Sequence, residues 1–279
     1  MLPTIQYIRK ELQSVCSPEE TESMVRLIFR HLKNYTLTDL VLKQHETLSA
    51  EEKQTVVEIT KRLKNSEPIQ YILGETEFFG LNFKVNPNVL IPRPETEELI
   101  SWILESGEVY QNILDIGTGS GCIAISLKTK MMASSVYACD ISPEALNTAH
   151  ENAVRNKLDI EFFPIDILNH QEVQMPVKPD LIVSNPPYVR ESEKQFMADN
   201  VTRFEPGIAL FVDDKKPLVY YEAIANFAKG TGAPGGWLYL EINESLGPEM
   251  MGLLSSKGFE FVEIRKDLQG KDRMIRAKI

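Results

Sequence analysis

The chain has 279 residues, a length that suggests about two domains. Hydrophobic residues make up 43% and charged residues 25%, the composition of a globular protein, and the formal net charge is −10. An acidic chain is a poor match to a protein that holds nucleic acid through its phosphates, so we expect no direct binding to DNA. No long apolar run and no signal-peptide pattern are present, so we expect no membrane span. Three sparse cysteines indicate a reducing compartment and predict a cytoplasmic chain. The four histidines are scattered, which predicts no metal site.

Residues 1–72 predict a small helical domain. Ser17, Pro18 and Glu20 provide the N-cap, the first helical position and the capping-box acid of one helix, and "SAEE" at 49–52 repeats the pattern. Residues 73–91 then alternate aromatic and β-branched residues with polar ones and contain two glycines. This second stretch predicts a β-hairpin or an extended linker.

Residues 92–279 begin with a helix near Pro94 and then alternate strands and helices. Repeated βαβ units predict a Rossmann-like α/β fold with a mostly parallel, seven-stranded sheet covered on both faces. Only "DLQGKD" joins the last two strands, which is too short for a parallel crossover, so we expect an antiparallel strand at the edge of the sheet. The strands are predicted at 112–116, 135–140, 160–165, 180–184, 236–242, 259–266 and 273–278, and the helices at 121–130, 143–156, 217–229 and 244–257.

A glycine loop, "ILDIGTGSG" at 113–121, joins the first of these strands to a helix. Gly117, Gly119 and Gly121 allow a tight turn and the close approach of a ligand, although a purely structural turn is the alternative reading of the triplet alone. The spacing differs from the dinucleotide pattern G-x-G-x-x-G, and a phosphate-binding P-loop is absent. Asp115 would repel a phosphate but attract an ammonium group.

Two further acids follow the next two strands. Asp140 is placed to accept hydrogen bonds from ribose hydroxyls, or else to cap the helix that begins at Pro143. Asp166 is placed to reach an adenine amino group. Because the carboxyl ends of parallel strands meet at one edge, these acids and Asp115 predict a ligand with an ammonium, a ribose and an adenine but no phosphate. S-adenosylmethionine fits that description.

The fourth strand ends in Asn185, Pro186, Pro187 and Tyr188. The prolines have fixed φ angles and no N–H, and they hold the preceding residue extended. A stiff turn is one reading of this corner. In the other, the Asn185 side-chain oxygen and the Pro186 carbonyl are paired acceptors for a substrate –NH₂ group, and Tyr188 stacks on its flat π system. Holding both N–H bonds would point the nitrogen lone pair at an electrophilic methyl group, so that transfer depends mainly on orientation.

"DIGTGSG" followed by "NPPY" resembles the class I S-adenosylmethionine-dependent methyltransferases that methylate nitrogen. The whole chain resembles, more narrowly, the peptide chain release factor N5-glutamine methyltransferases (the PrmC/HemK family). The blocks that carry this resemblance are "EPIQYILGETEFFGLNF" at 67–83, "LIPRPETEEL" at 90–99, "RFEPGIAL" at 203–210 and "DLQGKDR" at 267–273.

The resemblance implies methylation of the glutamine in the Gly-Gly-Gln motif of class I release factors, with S-adenosylhomocysteine as the second product. It also implies that residues 1–72 recognise the protein substrate, whereas 92–279 form the methyltransferase domain. Arg93 and Glu205 receive no chemical role. The motif assigns to the cofactor Gly117, Thr118, Gly119, Ser120, Gly121 and Asp140, and we add Asp115, Asp166, Ile167 and Asn185 to that set. It assigns to the glutamine Asn185, Pro186, Pro187 and Tyr188. Of these, Asn185, Pro186 and Tyr188 are the predicted catalytic residues.

Two departures from the family accompany this resemblance. Ile167 stands where some members have an aromatic residue beside the adenine, so adenine stacking is expected to be weaker. Phe204 stands where tyrosine is common. The polar residues 191–202, directly after the corner, are a hypothetical lid.

Two other functions share part of this pattern. An adenine-N6 nucleic-acid methyltransferase would use the same corner, because a flipped adenine also presents a flat –NH₂ group. The acidic composition, the lack of a basic target-recognition region and the "IPRPETE" block argue against it. A non-catalytic module that only binds the cofactor or docks on a release factor would not need an intact Asn-Pro-Pro-Tyr corner.

Overall fold

The computed structural model describes residues 1–172 and 175–279. The chain divides into two compact units, residues 1–75 with 198–204 and residues 76–197 with 205–279. None of the helices in the described part of the chain has both the length and the apolar composition needed to cross a lipid bilayer.

The first unit is a helical cluster, as the sequence predicts. Both expected capping boxes form: Ser17 Oγ accepts a hydrogen bond from the Glu20 N–H, Glu20 accepts one from the Ser17 N–H, and Ser49 and Glu52 are paired in the same way. The apolar faces pack into one core that includes Ile8, Leu12, Ile28, Phe29 and Val56, all fully buried. The helices are α1 (Leu2–Leu12), α2 (Pro18–Lys33), α3 (Leu37–Leu42), α4 (Ala50–Lys64) and α5 (Ile69–Leu73).

The second unit confirms the predicted Rossmann-like fold: a seven-stranded, mostly parallel sheet with a hydrophobic cluster on each face. Its order is β10-β11-β9-β6-β3-β4-β5, and two-stranded sheets β1-β2 and β7-β8 accompany it. The strands are β1 (Glu75–Phe78), β2 (Leu81–Lys84), β3 (Asn112–Ile116), β4 (Ser135–Asp140), β5 (Glu161–Pro164), β6 (Leu181–Ser184), β7 (Val189–Arg190), β8 (Phe211–Val212), β9 (Trp237–Glu241), β10 (Glu260–Lys266) and β11 (Asp272–Lys278). The helices that follow in the chain are α6 (Pro94–Glu105), α7 (Cys122–Lys130), α8 (Pro143–Arg155), α9 (Asp199–Phe204), α10 (Val219–Thr231) and α11 (Gly247–Ser256), of which α9 belongs to the first unit. Short 3₁₀ turns lie at Ile167–Glu172, Glu191–Phe196 and Gly207–Ala209.

The reversed strand differs from the prediction in its position. β11 is antiparallel to both of its neighbours and lies between β9 and β10, one place inside the edge of the sheet. The sequence predicts the reversed strand at the edge itself. Burial explains this order. Met274, Ile275 and Ala277 of β11 are completely buried, whereas most residues of β10 are at least partly exposed. The apolar strand therefore takes the inner place, and the charged, irregular strand takes the edge, where it discourages pairing with other chains.

Buried Asn152 on α8 joins three segments around the glycine loop. Its side chain accepts a hydrogen bond from the Lys84 N–H at 2.6 Å and donates to the carbonyl oxygens of Lys84 and Ser120, each at 2.9 Å. The predicted hairpin, β1-β2, is thereby fixed to the helix that flanks the loop. Such an amide satisfies backbone groups that would otherwise be buried without a partner.

Candidate active site

A cleft opens at the carboxyl edge of the sheet, above β6, β3, β4 and β5. Chain order proceeds from β3 toward β4 and β5 on one side and passes to β6 on the other, so the cleft lies at the switch point where open α/β sheets bind ligands. Most of the predicted site residues line it. These are Gly117, Thr118, Gly119, Ser120, Asp140, Asp166, Ile167, Asn185, Pro186 and Pro187.

The three glycines of the loop have left-handed backbone conformations but different surroundings. Gly117 and Gly119, at φ of 72° and 55°, have open space where a Cβ would lie. Gly121, at φ of 81°, is enclosed: a Cβ there would lie 3.0 Å from Ile125 Cδ1 and 3.1 Å from Ala149 Cβ. Gly117 and Gly119 thus leave backbone accessible to a ligand, whereas Gly121 allows α7 and α8 to pack closely, the division of labour known from other glycine loops.

Asp115 lies behind the loop and is fully buried. Its Oδ2 accepts hydrogen bonds from Thr118 Oγ1 at 2.6 Å and from the Ala124 N–H at 3.2 Å, and its Oδ1 has no partner among the described residues. Burial raises the pKa of Asp115 to about 7, although both hydrogen bonds oppose the rise. Asp115 does not line the cleft. Asp115 therefore stabilises the glycine loop and the start of α7 through these hydrogen bonds and does not face the cleft.

Asp140 lies at the end of β4 with its carboxylate at the cleft. Oδ2 accepts a hydrogen bond from the Gly119 N–H at 2.9 Å, and Oδ1 accepts one from the Ser142 N–H at 2.9 Å. The helix cap is supplied by Ser142, whose Oγ accepts from the Ala145 N–H, so capping does not account for Asp140. Burial raises the pKa of Asp140, and the backbone N–H groups oppose this. Each oxygen still has capacity for a ligand hydroxyl.

Asp166, at the far end of the cleft, is also held by its own segment. Oδ1 accepts from the Leu168 N–H at 3.0 Å and Oδ2 accepts from Asn169 Nδ2 at 2.6 Å. Ile167 follows it, and Tyr220 of α10 lines the same part of the cleft. Burial and the charge of Asp166 raise the pKa of Tyr220. An aromatic ring is thus present in this region, although residue 167 is aliphatic.

The charges of the cleft suit a cationic nucleoside better than a phosphate. Asp140 and Asp166 line it, and Arg93 is the one cationic side chain among its described lining residues. Arg93 is neutralised by Glu205, whose side chain is 1% exposed and lies 2.5 Å from the guanidinium. Glu205 Oε2 also accepts from the Ile91 N–H at 3.1 Å. This donor set fits the sulfonium, ribose and adenine of S-adenosylmethionine and offers no free cation for a pyrophosphate.

Asn185 begins the corner after β6, which is anchored by Ser184 Oγ donating to the Ile116 carbonyl at 2.6 Å. The Asn185 side chain lines the cleft, and its Nδ2 donates to Thr96 Oγ1 at 3.1 Å. Pro186 and Pro187 line the cleft beside it. The amide group is therefore held from behind while its other polar atom is left for the cleft.

Tyr188 does not line the cleft. Its ring packs against the hydrophobic cluster of the α10 face, its hydroxyl donates to Glu241 Oε1 at 2.9 Å, and its carbonyl accepts from Asn243 Nδ2 at 3.1 Å. Burial raises the pKa of Tyr188 well above its usual value, and the Glu241 charge adds to this. In this structure the tyrosine fixes the corner to the end of β9.

Sequence reasoning missed several residues of the site. Thr96 and Tyr220 line the cleft, and Glu241 lies directly behind Thr96. Thr96 belongs to the "IPRPETE" block, so the block itself was the available signal. Tyr220 and Glu241 stand in an ordinary helix and an ordinary strand, and nothing in their local pattern distinguishes them.

Comparison with known proteins places the fold and the site in context. The family model described as "Methyltransferase small domain" matches residues 95–249, and "PrmC N-terminal domain" matches residues 4–74. A release factor glutamine methyltransferase of Flavobacterium psychrophilum is 44% identical, over 95% of this chain and 94% of that protein. One from Bacteroides thetaiotaomicron is 42% identical over 97% of each chain. The crystal structure of the hMettl16 catalytic domain, 15% identical, has a TM-score of 0.57 over 88% of this chain and 93% of that chain, which supports the fold alone.

Proposed function

The chain belongs to the release factor glutamine methyltransferase family, and from that premise we propose how its cleft and its Asn-Pro-Pro-Tyr corner perform the reaction. The enzyme transfers a methyl group from S-adenosylmethionine to the side-chain amide nitrogen of a glutamine in a peptide chain release factor. The products are N5-methylglutamine and S-adenosylhomocysteine. We further propose that the glutamine is that of the Gly-Gly-Gln motif of class I release factors, and that the reaction takes place in the cytoplasm.

The cofactor supplies an electrophilic methyl group on a sulfonium centre. Gly117 and Gly119 would present open backbone to it, and the Asp140 carboxylate would accept hydrogen bonds from its ribose hydroxyls. Asp166, Ile167 and Tyr220 would line the space for the adenine. Asp115 acts through the loop, by holding Thr118 and the first turn of α7. A direct contact of Asp115 with the ammonium group, which the sequence suggested, is not part of this proposal, because Asp115 is fully buried behind the loop.

The corner orients the acceptor nitrogen. Asn185 Oδ1 and the Pro186 carbonyl accept the two N–H bonds of the glutamine amide, so that the nitrogen lone pair points toward the methyl group. With the cofactor bound, the new N–C bond would form as the S–C bond breaks, and the nitrogen would then lose a proton to solvent. No side chain is required as a general base, so positioning carries most of the rate. We propose that Tyr188 supports this corner from behind rather than stacking on the amide.

One observation supports this function most strongly. The Asn185 amide is held in the wall of the cofactor cleft by a hydrogen bond from its own Nδ2 to Thr96. An amide fixed in this way offers an acceptor to a substrate –NH₂ group. Adenine presents the same group, but family membership over nearly the whole chain favours glutamine over a nucleic-acid substrate.

Residues 1–72 are proposed to recognise the release factor. The supporting observation is that this part of the chain matches the PrmC N-terminal domain and forms a core of its own. Whether the segment at 191–202, which includes the 3₁₀ turn Glu191–Phe196, acts as a lid stays a prediction.

The test of substrate class is incubation with S-adenosylmethionine labelled in its methyl group. A class I release factor, the same factor with its Gly-Gly-Gln glutamine changed to alanine, and duplex DNA are compared. Label on the first factor alone is the expected result. Label on DNA, or equal label on the two factors, would overturn the proposal.

A further inference from the structure

Behind Asn185 lies a buried chain of hydrogen bonds that the reaction described above does not use directly. Asn185 Nδ2 donates to Thr96 Oγ1 at 3.1 Å, and Thr96 Oγ1 donates to Glu241 Oε2 at 2.7 Å. Tyr188 donates to the other oxygen of Glu241 at 2.9 Å. Thr96 is 2% exposed and Glu241 is 1% exposed. Three distant segments, the start of α6, the corner after β6 and the end of β9, thus converge on one carboxylate.

The Glu241 carboxylate fixes which group donates and which accepts in each hydrogen bond of this series. Burial raises the pKa of Glu241, and the hydroxyls of Thr96 and Tyr188 together with the charge of Arg273 oppose that rise. In its ionised form the Glu241 carboxylate only accepts hydrogen bonds, so the hydroxyl protons of Thr96 and Tyr188 then both point at Glu241. A threonine hydroxyl has a single proton, and once that proton is used Thr96 is an acceptor toward Asn185. The –NH₂ half of the Asn185 amide must therefore face Thr96. Burial excludes the water molecules that could otherwise reverse these roles.

This order of donors and acceptors decides what Asn185 offers to the cleft. With Nδ2 bound to Thr96, Oδ1 is the polar atom left over, and within the described part of the chain it makes no hydrogen bond. A reversed amide would present –NH₂ to the –NH₂ of the substrate, and two donors cannot bond to each other. The reaction needs only one of the two orientations, and Asn185 alone does not distinguish between them.

We propose that Thr96 and Glu241 are positioning residues that fix the orientation of the Asn185 amide, so that Oδ1 accepts from the amide nitrogen that is methylated. The proposal rests on the function proposed above and adds two residues to it. Thr96 lines the cleft beside Asn185, and Glu241 lies behind Thr96. Glu241 acts through Thr96, and Thr96 acts through Asn185.

The matched variants are Thr96→Val, which keeps the shape and removes the hydroxyl, and Thr96→Ser, which keeps the hydroxyl. We expect Thr96→Val to lower kcat about tenfold or more, the value of one oriented hydrogen bond in the transition state. The dissociation constant of S-adenosylmethionine, measured by calorimetry, should stay within about threefold of the wild-type value, because the hydrogen bonds that join Asn185, Thr96 and Glu241 include no group of the cofactor. Thr96→Ser should retain kcat within about threefold of the wild type.

Two results would overturn the proposal: a Thr96→Val enzyme with kcat within threefold of the wild type, or equal losses in Thr96→Val and Thr96→Ser. The first would show that the hydroxyl does not orient the amide, and the second that packing alone matters. Should Thr96→Val fail to fold because it leaves the buried Glu241 carboxylate with only one of its two hydroxyl donors, the double variant Thr96→Val with Glu241→Leu removes that charge and is judged by the same kcat ratio. Absence of transfer by the wild-type enzyme to any release factor would refute the proposed function instead, since the positioning role is judged only from ratios to an active wild type.

Discussion

Gly121→Ala should destabilise the methyltransferase unit more than Gly119→Ala. Both glycines have positive φ angles, 81° and 55°, so alanine carries a backbone cost of about 1–2 kcal/mol at either position. Only at Gly121 does the new methyl group meet close neighbours, at 3.0 Å from Ile125 Cδ1, 3.1 Å from Ala149 Cβ and 3.3 Å from Ala149 Cα. The α8 backbone cannot withdraw as a flexible side chain would, and such overpacking costs about 1–3 kcal/mol.

The expected loss in the free energy of unfolding is therefore about 2–5 kcal/mol for Gly121→Ala and about 1–2 kcal/mol for Gly119→Ala. The change in the unfolded state is the same glycine-to-alanine change in both, so it cancels in the comparison. The assay is urea unfolding followed by tryptophan fluorescence. Trp102 and Trp237 are the two tryptophans of the chain, and both lie in the second unit, so the signal reports on that unit. Equal losses, or a larger loss at Gly119, would refute the packing role assigned to Gly121.

Three further predictions concern the acids and the corner. Asp140→Ala should weaken S-adenosylmethionine binding in calorimetry by about tenfold to a hundredfold, the value of hydrogen bonds to a charged group, and an unchanged affinity would remove its ribose role. Asp115→Asn should alter the pH dependence of stability. Folding raises the pKa of the Asp115 carboxyl from 3.8 to about 7, so the folded state favours the protonated form. The free energy of unfolding of the wild type should therefore fall by up to about 4 kcal/mol relative to that of the variant as pH rises from about 4 to about 7. Parallel pH profiles in urea unfolding of the two proteins would contradict this. Asn185→Ala should abolish methyl transfer while the dissociation constant of the cofactor stays within several-fold, and near-normal turnover would exclude the paired-acceptor mechanism.

Local patterns in the sequence were sufficient for much of the fold. Ser17 with Glu20 and Ser49 with Glu52 satisfy helix ends within a few residues, so the capping boxes can be predicted without knowing the tertiary structure. The same holds for the glycine loop and for the acids at the ends of β4 and β5, since strand order in a βαβ fold places successive carboxyl ends at one edge. These features depend on neighbours in the chain.

Features that depend on distant partners were not predictable in the same way. The inner place of β11 follows from the burial of Met274 and Ile275 relative to the exposed β10, which is decided between strands. The direction of the Tyr188 side chain is set by Glu241, 53 positions away. Thr96 reaches Glu241 across 145 positions of sequence. No local pattern encodes such a pairing, and only the folded chain brings these residues together.

The central claim is that the Asn185 corner directs the methyl group to one amide nitrogen. Its most direct test is tandem mass spectrometry of a class I release factor after incubation with S-adenosylmethionine and either the wild-type enzyme or the Asn185→Ala variant. We predict a single methyl group on the side-chain nitrogen of the Gly-Gly-Gln glutamine with the wild type, and none with the variant. A methyl group on another residue, or the same modification by both enzymes, would contradict the account.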